Sequence, residues 1–187
     1  MTNTGLSASL LVAMPQLQDP NFHRTVLLML EHGAGASFGL VLNRPADLQL
    51  SELFRSLQFE WRGELDAAVV WGGPVEPNSG WLLFGDSPFM ASDDEQVSPV
   101  VEGVNFGGSM DVFKQVSENP PSSLKFLLGY AGWGPGQLEL EIAQGAWLSA
   151  EATAEVIFDV PADVMWDYVV RGLGIDPSSL VSTTGVH

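Results

Sequence analysis

Imidazole is the side chain that titrates nearest neutral pH, so acid–base chemistry is sought first at His23, His32 and His187. His32 follows Glu31 at the end of an apolar run, and on a strand two successive side chains point to opposite faces. There is no HExxH pair and no set of histidines and carboxylates at ligand spacing, so no metal site is expected. Serine catalysis needs a nucleophile, a base and an orienting carboxylate. The chain has no GxSxG turn, and Gly107-Gly108-Ser109 reads as a loop whose serine caps a helix.

The segment Gly129–Gln137 (GYAGWGPGQ) suggests a phosphate loop, but its spacing is not GxxxxGK[ST] and Gln137 stands where GxGxxG needs glycine. Glu139 and Glu141 follow and would repel an anion. A tight turn whose glycines supply positive φ, with Trp133 packed on the core, fits better. Glu139/Glu141 and Asp93/Asp94 are the carboxylate pairs that can be drawn. The run Asp93-Asp94-Glu95 lacks calcium-loop grammar and reads as a solvated loop tip. Arg44, before Pro45, is expected to be extended; it either pairs with a carboxylate to hold strand ends, the favoured reading, or recognises a ligand carboxylate. Polar residues beside tight turns form the remaining set: Asp19, Arg24, Glu31, His32, Asn43, Arg44, Gly72, Gly73 and Gln137.

The chain that must position these residues has 187 residues, 7 Lys+Arg against 23 Asp+Glu, a net charge of −16 and no cysteine. The missing thiol excludes disulfides, thiolate metal sites and cysteine catalysis, and fits a cytoplasmic location. Duplex binding needs clustered cations, and the seven here are scattered, so no direct nucleic-acid contact is expected. The same charge opposes anionic membranes, and no apolar run is long enough to span one. The first 18 residues lack the basic start of a signal peptide. A hydrophobic fraction of 45% with six Trp and ten Phe indicates a packed globule. A single domain is expected across 1–187, with loose ends at about 1–8 and 176–187.

Strands are expected at Ser9–Met14, Thr25–Leu30 and Phe38–Leu42, the last two as a hairpin around Gly33–Ser37. Further strands are read at Ala67–Trp71, Gly80–Phe84, Leu124–Tyr130 and Ala154–Asp159. Val97–Val101 reads as an edge strand because Pro99 cannot donate to a ladder. Helices are expected at Leu50–Leu57, Met110–Ser117 and Pro161–Arg171. Leu138–Ile142 fits a strand by alternation and a helix by i, i+4 spacing. Short connections make the sheet largely antiparallel and the class α+β.

Three blocks in order resemble the YqgE/AlgH (DUF179-like) family of bacterial proteins. The first is Met14-Pro15-x-Leu17-x-Asp19-Pro20-x-Phe22-x-x-Thr25-Val26, then Glu31-His32, then Gly39-x-x-x-Asn43-Arg44-Pro45. The second is Gly72-Gly73-Pro74-Val75 with Gly80; the third runs from Gly129 to Ile142, with Trp147-Leu148. The resemblance covers about residues 6–175. It implies an α+β fold, a bifurcated, mostly antiparallel β-sheet curled into a pseudo-barrel and flanked by helices, with Leu138–Ile142 helical. It also implies a link to transcriptional regulation. Many relatives carry Cys where Leu30 stands, so a thiol redox role has no residue here.

These observations point to a non-enzymatic protein acting by protein or small-molecule contact, without metal or cofactor, as a monomer or weak oligomer. The expected contact surface is Asp19, Arg24, Glu31, His32, Asn43, Arg44, Gly72, Gly73, Trp133 and Gln137. The alternatives are a transcriptional regulator, whose direct grip on DNA the charge opposes, and a hydrolase or anion-binding enzyme using Glu31, His32 and Asn43 near the Gly-rich turn.

Overall fold

Apolar runs with short connections fold as one curled sheet in the computed structural model, which describes residues 8–17, 19–63, 66–86 and 96–180. The strands are β1 (Ser9–Ala13), β2 (Val26–His32), β3 (Ser37–Val41), β4 (Pro45–Gln49), β5 (Ala68–Trp71), β6 (Val75–Phe84), β7 (Val97–Val101), β8 (Val104–Gly107), β9 (Leu124–Trp133) and β10 (Trp147–Glu151). The helices are α1 (Leu50–Ser56), α2 (Met110–Glu118), α3 (Gln137–Ala143) and α4 (Ala162–Gly172). The strand order is β10-β1-β2-β3-β9-β6-β8-β7. The sheet forks at β9, whose end pairs with β3 while Leu127 and Leu128 pair in parallel with β5, itself paired with β4. The result is a half-barrel, mostly antiparallel as expected.

Both faces of the curl are apolar, which is why β2 reads as a continuous rather than alternating run. The inner face buries Leu10, Val12, Val26, Leu28, Leu40 and Leu127 against Met165, Trp166, Val169 and Val170 of α4. The outer face carries two further cores. One packs Leu11, Leu27, Met29 and Val41 with Trp133, Leu138 and Trp147. The other packs α1 and α2, through Leu53, Phe54, Val112 and Phe113, on Leu82, Phe84 and Phe126. Ser109 caps α2 by accepting from the Val112 N–H, and Pro99 lies on edge strand β7.

Ala154–Asp159 is not a strand. Glu155–Asp159 forms a π-helical turn, closed by the Val160 N–H donating to the Glu155 carbonyl at 3.1 Å. Val156, Ile157 and Val160 all bury, a spacing that a helical turn satisfies and alternation does not. Leu138–Ile142 is helical within α3: Leu138 is fully buried while Leu140 is 59% exposed, though a strand would put both on one face. The strands β4, β8 and β10 come in addition to those expected. The acidic loop tip Asp93–Glu95 lies outside the described residues, as do most of the ends expected to be loose.

Candidate functional site

A loop from Met14 to Thr25 straps the outer face of β1 and β2, and polar side chains tie it down. Asp19 accepts from the Asn21 N–H at 2.9 Å and caps a short 3₁₀ turn, Pro20–Phe22. That turn aims Phe22 at Trp133 and Trp147, with ring centroids 6.5 and 5.7 Å away. Arg24 then takes φ +53°, a left-handed conformation costly for a side chain of this size. Asn43 supports it on both sides: its Oδ1 accepts from the Val26 N–H and its Nδ2 donates to the Arg24 carbonyl, each at 2.9 Å. Arg44 donates to the His23 carbonyl at 2.7 Å, and its guanidinium lies 5.9 Å from the Trp71 ring. It therefore holds strand ends, as expected, but through a backbone carbonyl instead of a carboxylate. The Arg24 guanidinium lies 4.7 Å from the Trp166 ring.

Gly72 and Gly73 are buried where the end of β5 crosses β9. A Cβ on Gly73 would come 2.1 Å from the Tyr130 carbonyl carbon, and one on Gly129 would come 2.3 Å from the Gly73 oxygen. Only glycine permits this backbone-on-backbone contact, so this pair closes the fork of the sheet.

At the other end of β3, a bulge between Met29 and Glu31 reverses which side chains face in. Glu31 then pairs with Phe38, whose ring packs on the inner core, while His32 pairs with Ser37 on the outer face. There the His32 Nε2 reaches Glu139 of α3 at 3.0 Å, and its Nδ1 meets the Ser37 hydroxyl at 2.6 Å. A carboxylate only accepts, which places the ring proton on Nε2 and makes the serine hydroxyl the donor to Nδ1 of the neutral ring. This relay resembles a nucleophile–base–acid chain, but Ser37 is 5% exposed and its hydroxyl is spent on the imidazole. Its evident work is to fasten α3 to the β2–β3 hairpin. The Gln137 Oε1 accepts from the Gly134 N–H at 3.1 Å and shapes the turn entering α3.

Beside this tether, the Trp133 Nε1 donates to Glu141 at 2.8 Å. Burial pushes the Glu141 carboxyl above its ordinary range, and the charge of Asp19 adds to the rise. The Trp133 and Trp147 indoles oppose it, although Trp147 Nε1 is buried without a well-formed hydrogen bond. The sequence did not mark Ser37, Phe22 and Trp147 as part of this region, and it showed Glu139 and Glu141 as a carboxylate pair that would repel an anion at the Gly-rich turn. The available signals were the place of the glutamates just after the Gly-rich segment and the presence of Phe22 and Trp147 in the motif blocks.

The predicted set thus divides. Asp19, Arg24, Asn43 and Arg44 lie along the strap, Gly72 and Gly73 at the fork, and Glu31, His32, Trp133 and Gln137 near the hairpin and α3. Asn43 is six residues along the chain from Ser37, roughly 20 Å on a strand, so Glu31, His32 and Asn43 do not share one pocket. No group of three or more potential metal ligands occurs among the described residues. Among them, no helix is long and apolar enough to cross a membrane.

A forked, curled antiparallel sheet with a strapped outer face and glycine crossing defines an α+β half-barrel class, and solved structures share it. The solution structure of the AlgH protein from Pseudomonas aeruginosa superposes with a TM-score of 0.73 at 30% identity, covering 100% of this chain and 98% of that one. Protein DIP2367 from Corynebacterium diphtheriae, at 23% identity, shares the fold with a TM-score of 0.72 over 91% of this chain and 88% of that one. The model of the AlgH-like family DUF179 matches residues 10–178, and the chain belongs to that family. A UPF0301 protein of Myxococcus xanthus is 44% identical over 183 residues, 97% of this chain and 98% of its own length. One from Anaeromyxobacter sp. strain K is 37% identical over 184 residues, 95% and 92% of the two chains.

Proposed function

We propose that the protein is a docking module for a cationic partner and works by binding instead of catalysis. The observation that supports this is the Glu141 carboxyl, held above its ordinary range by burial and by Asp19, with no cation paired to either group among the described residues. A half-buried carboxyl whose charged form is opposed by burial and by a neighbouring carboxylate favours a guest that brings positive charge. The half-buried Phe22 ring beside them offers a face to such a guest. Asp19 and Trp133 of the predicted surface belong to this site, whereas Asn43 and Arg44 serve it by fixing the strap. A regulatory role through a protein partner in the cytoplasm fits this reading better than direct contact with DNA, and it needs no metal or cofactor.

The test is an NMR titration of the Glu141 side chain with and without an arginine-rich peptide. Binding should lower the carboxyl's midpoint, and Asp19→Asn should weaken the peptide's affinity. A midpoint unmoved at saturating peptide would show that the guest goes elsewhere and would end this reading.

A further inference from the structure

An edge strand exposes unpaired amides and carbonyls, and folds commonly guard such edges with proline, lysine or a bulge. The edges at the two ends of the main strand path differ in that respect. The edge strand β7 carries Pro99. The opposite edge, β10, reads Trp-Leu-Ser-Ala-Glu and pairs with β1 in unbroken register from Ser9↔Glu151 to Ala13↔Trp147. The Met14 N–H donates to the Ala146 carbonyl, and alternation along the strand then turns Leu148 and Ala150 toward β1. The backbone groups of Trp147, Ser149 and Glu151 face away from β1, and among the described residues none of them has a hydrogen-bond partner.

We propose that this edge takes an extended basic segment of a partner protein as an added strand. The proposal rests on the docking reading above and gives it a second point of contact with its own geometry. Ser149 and Glu151 are exposed on the outer face, while Leu148 and Ala150 are half-buried on the inner one. A guest strand fits when cationic and small apolar residues alternate along it. At the end of β10 the seam of the half-barrel opens into a cleft of 420 Å³. Among the described residues its lining includes Glu102 and Glu151 and no cation. A second copy of this chain would meet the edge with its own charge of −16, which opposes self-pairing. Charge therefore selects a basic partner over a homodimer.

The experiment titrates the full chain with a short fluorescent peptide of alternating Lys and Val, following anisotropy and backbone amide exchange. Binding should slow exchange at Trp147, Ser149 and Glu151. Ser149→Pro, which removes one outward donor from an edge position that tolerates proline, should weaken binding about tenfold. If that variant fails to fold, N-methylation of alternate peptide amides gives the same loss on the unaltered protein. Undiminished binding by both Ser149→Pro and the N-methylated peptide overturns the edge proposal, as does a dimer that protects these amides without peptide. Binding weakened by Asp19→Asn or Glu141→Gln, but not by Ser149→Pro, leaves the carboxylate reading standing and removes the edge. Peptide binding that none of these changes weakens removes both.

Discussion

Lys125 rises from the inner face of β9 opposite Leu83, where its Nζ finds the Leu42 carbonyl at 3.4 Å and, among the described residues, no carboxylate. Burial pulls its pKa below the ordinary 10.5. The folded amine thus loses its proton before the unfolded one does. Between the depressed folded value and 10.5, the unfolded chain binds more protons, so stability should rise with pH across that window. Lys125→Met keeps the length of the stem and removes the desolvated charge. It should stabilise the protein at neutral pH by about 1 kcal/mol and flatten the alkaline rise. Urea unfolding of both proteins at neutral and alkaline pH measures this. A methionine variant less stable at neutral pH would mean that the ammonium holds the barrel end together through its single long hydrogen bond.

At the scale of elements, the strap depends on one side chain more than on its own packing. Asn43→Ala leaves the Val26 N–H and the Arg24 carbonyl without partners and frees a residue held at positive φ. The expected cost is about 2 kcal/mol, with faster amide exchange at Val26 than at strand positions such as Leu40. Equal acceleration everywhere would show that the strap is part of the global unfolding unit instead of opening locally. Asn43 also shows how far the sequence could be read. It stood out as a polar residue at a strand end, but its partners lie 17 and 19 residues away on another element. The elements legible beforehand, β2, β3, α1, the Ser109 cap and α4, are those whose signals are local. The bulge was invisible because it exists only relative to β3, and it decides that His32 faces α3. Strand β10 was missed because its partner β1 is more than a hundred residues earlier, and Ser149 and Glu151 on its open side look like loop. The π-helical turn after it was read as a strand because Val156 and Ile157 favour one until the core claims both.

The whole molecule is governed by the imbalance of 7 cations against 23 acids. Among the described residues the Arg62–Glu60 contact at 3.9 Å is loose, and a neutral His32 ring facing Glu139 cancels no charge, so with 7 cations to 23 acids most of the negative charge has no internal counterpart. The compact state therefore gathers like charges that the unfolded chain keeps apart. Raising salt shortens the Debye length from about 30 Å at 0.01 M to about 8 Å at 0.15 M and screens that repulsion. The unfolding midpoint should climb by a few degrees over that interval. The same screening should act oppositely on function: affinity for a basic peptide should fall as salt rises, while duplex DNA should show no salt-sensitive binding at any point. Measuring both on one salt series separates two sources of the charge effect. If the midpoint climbs and peptide affinity also falls, the charge that strains the fold is the charge that recruits the partner. If the midpoint climbs while peptide affinity stays constant, the acidic surface serves solubility alone, and the partner is held by the apolar positions and the open backbone of β10.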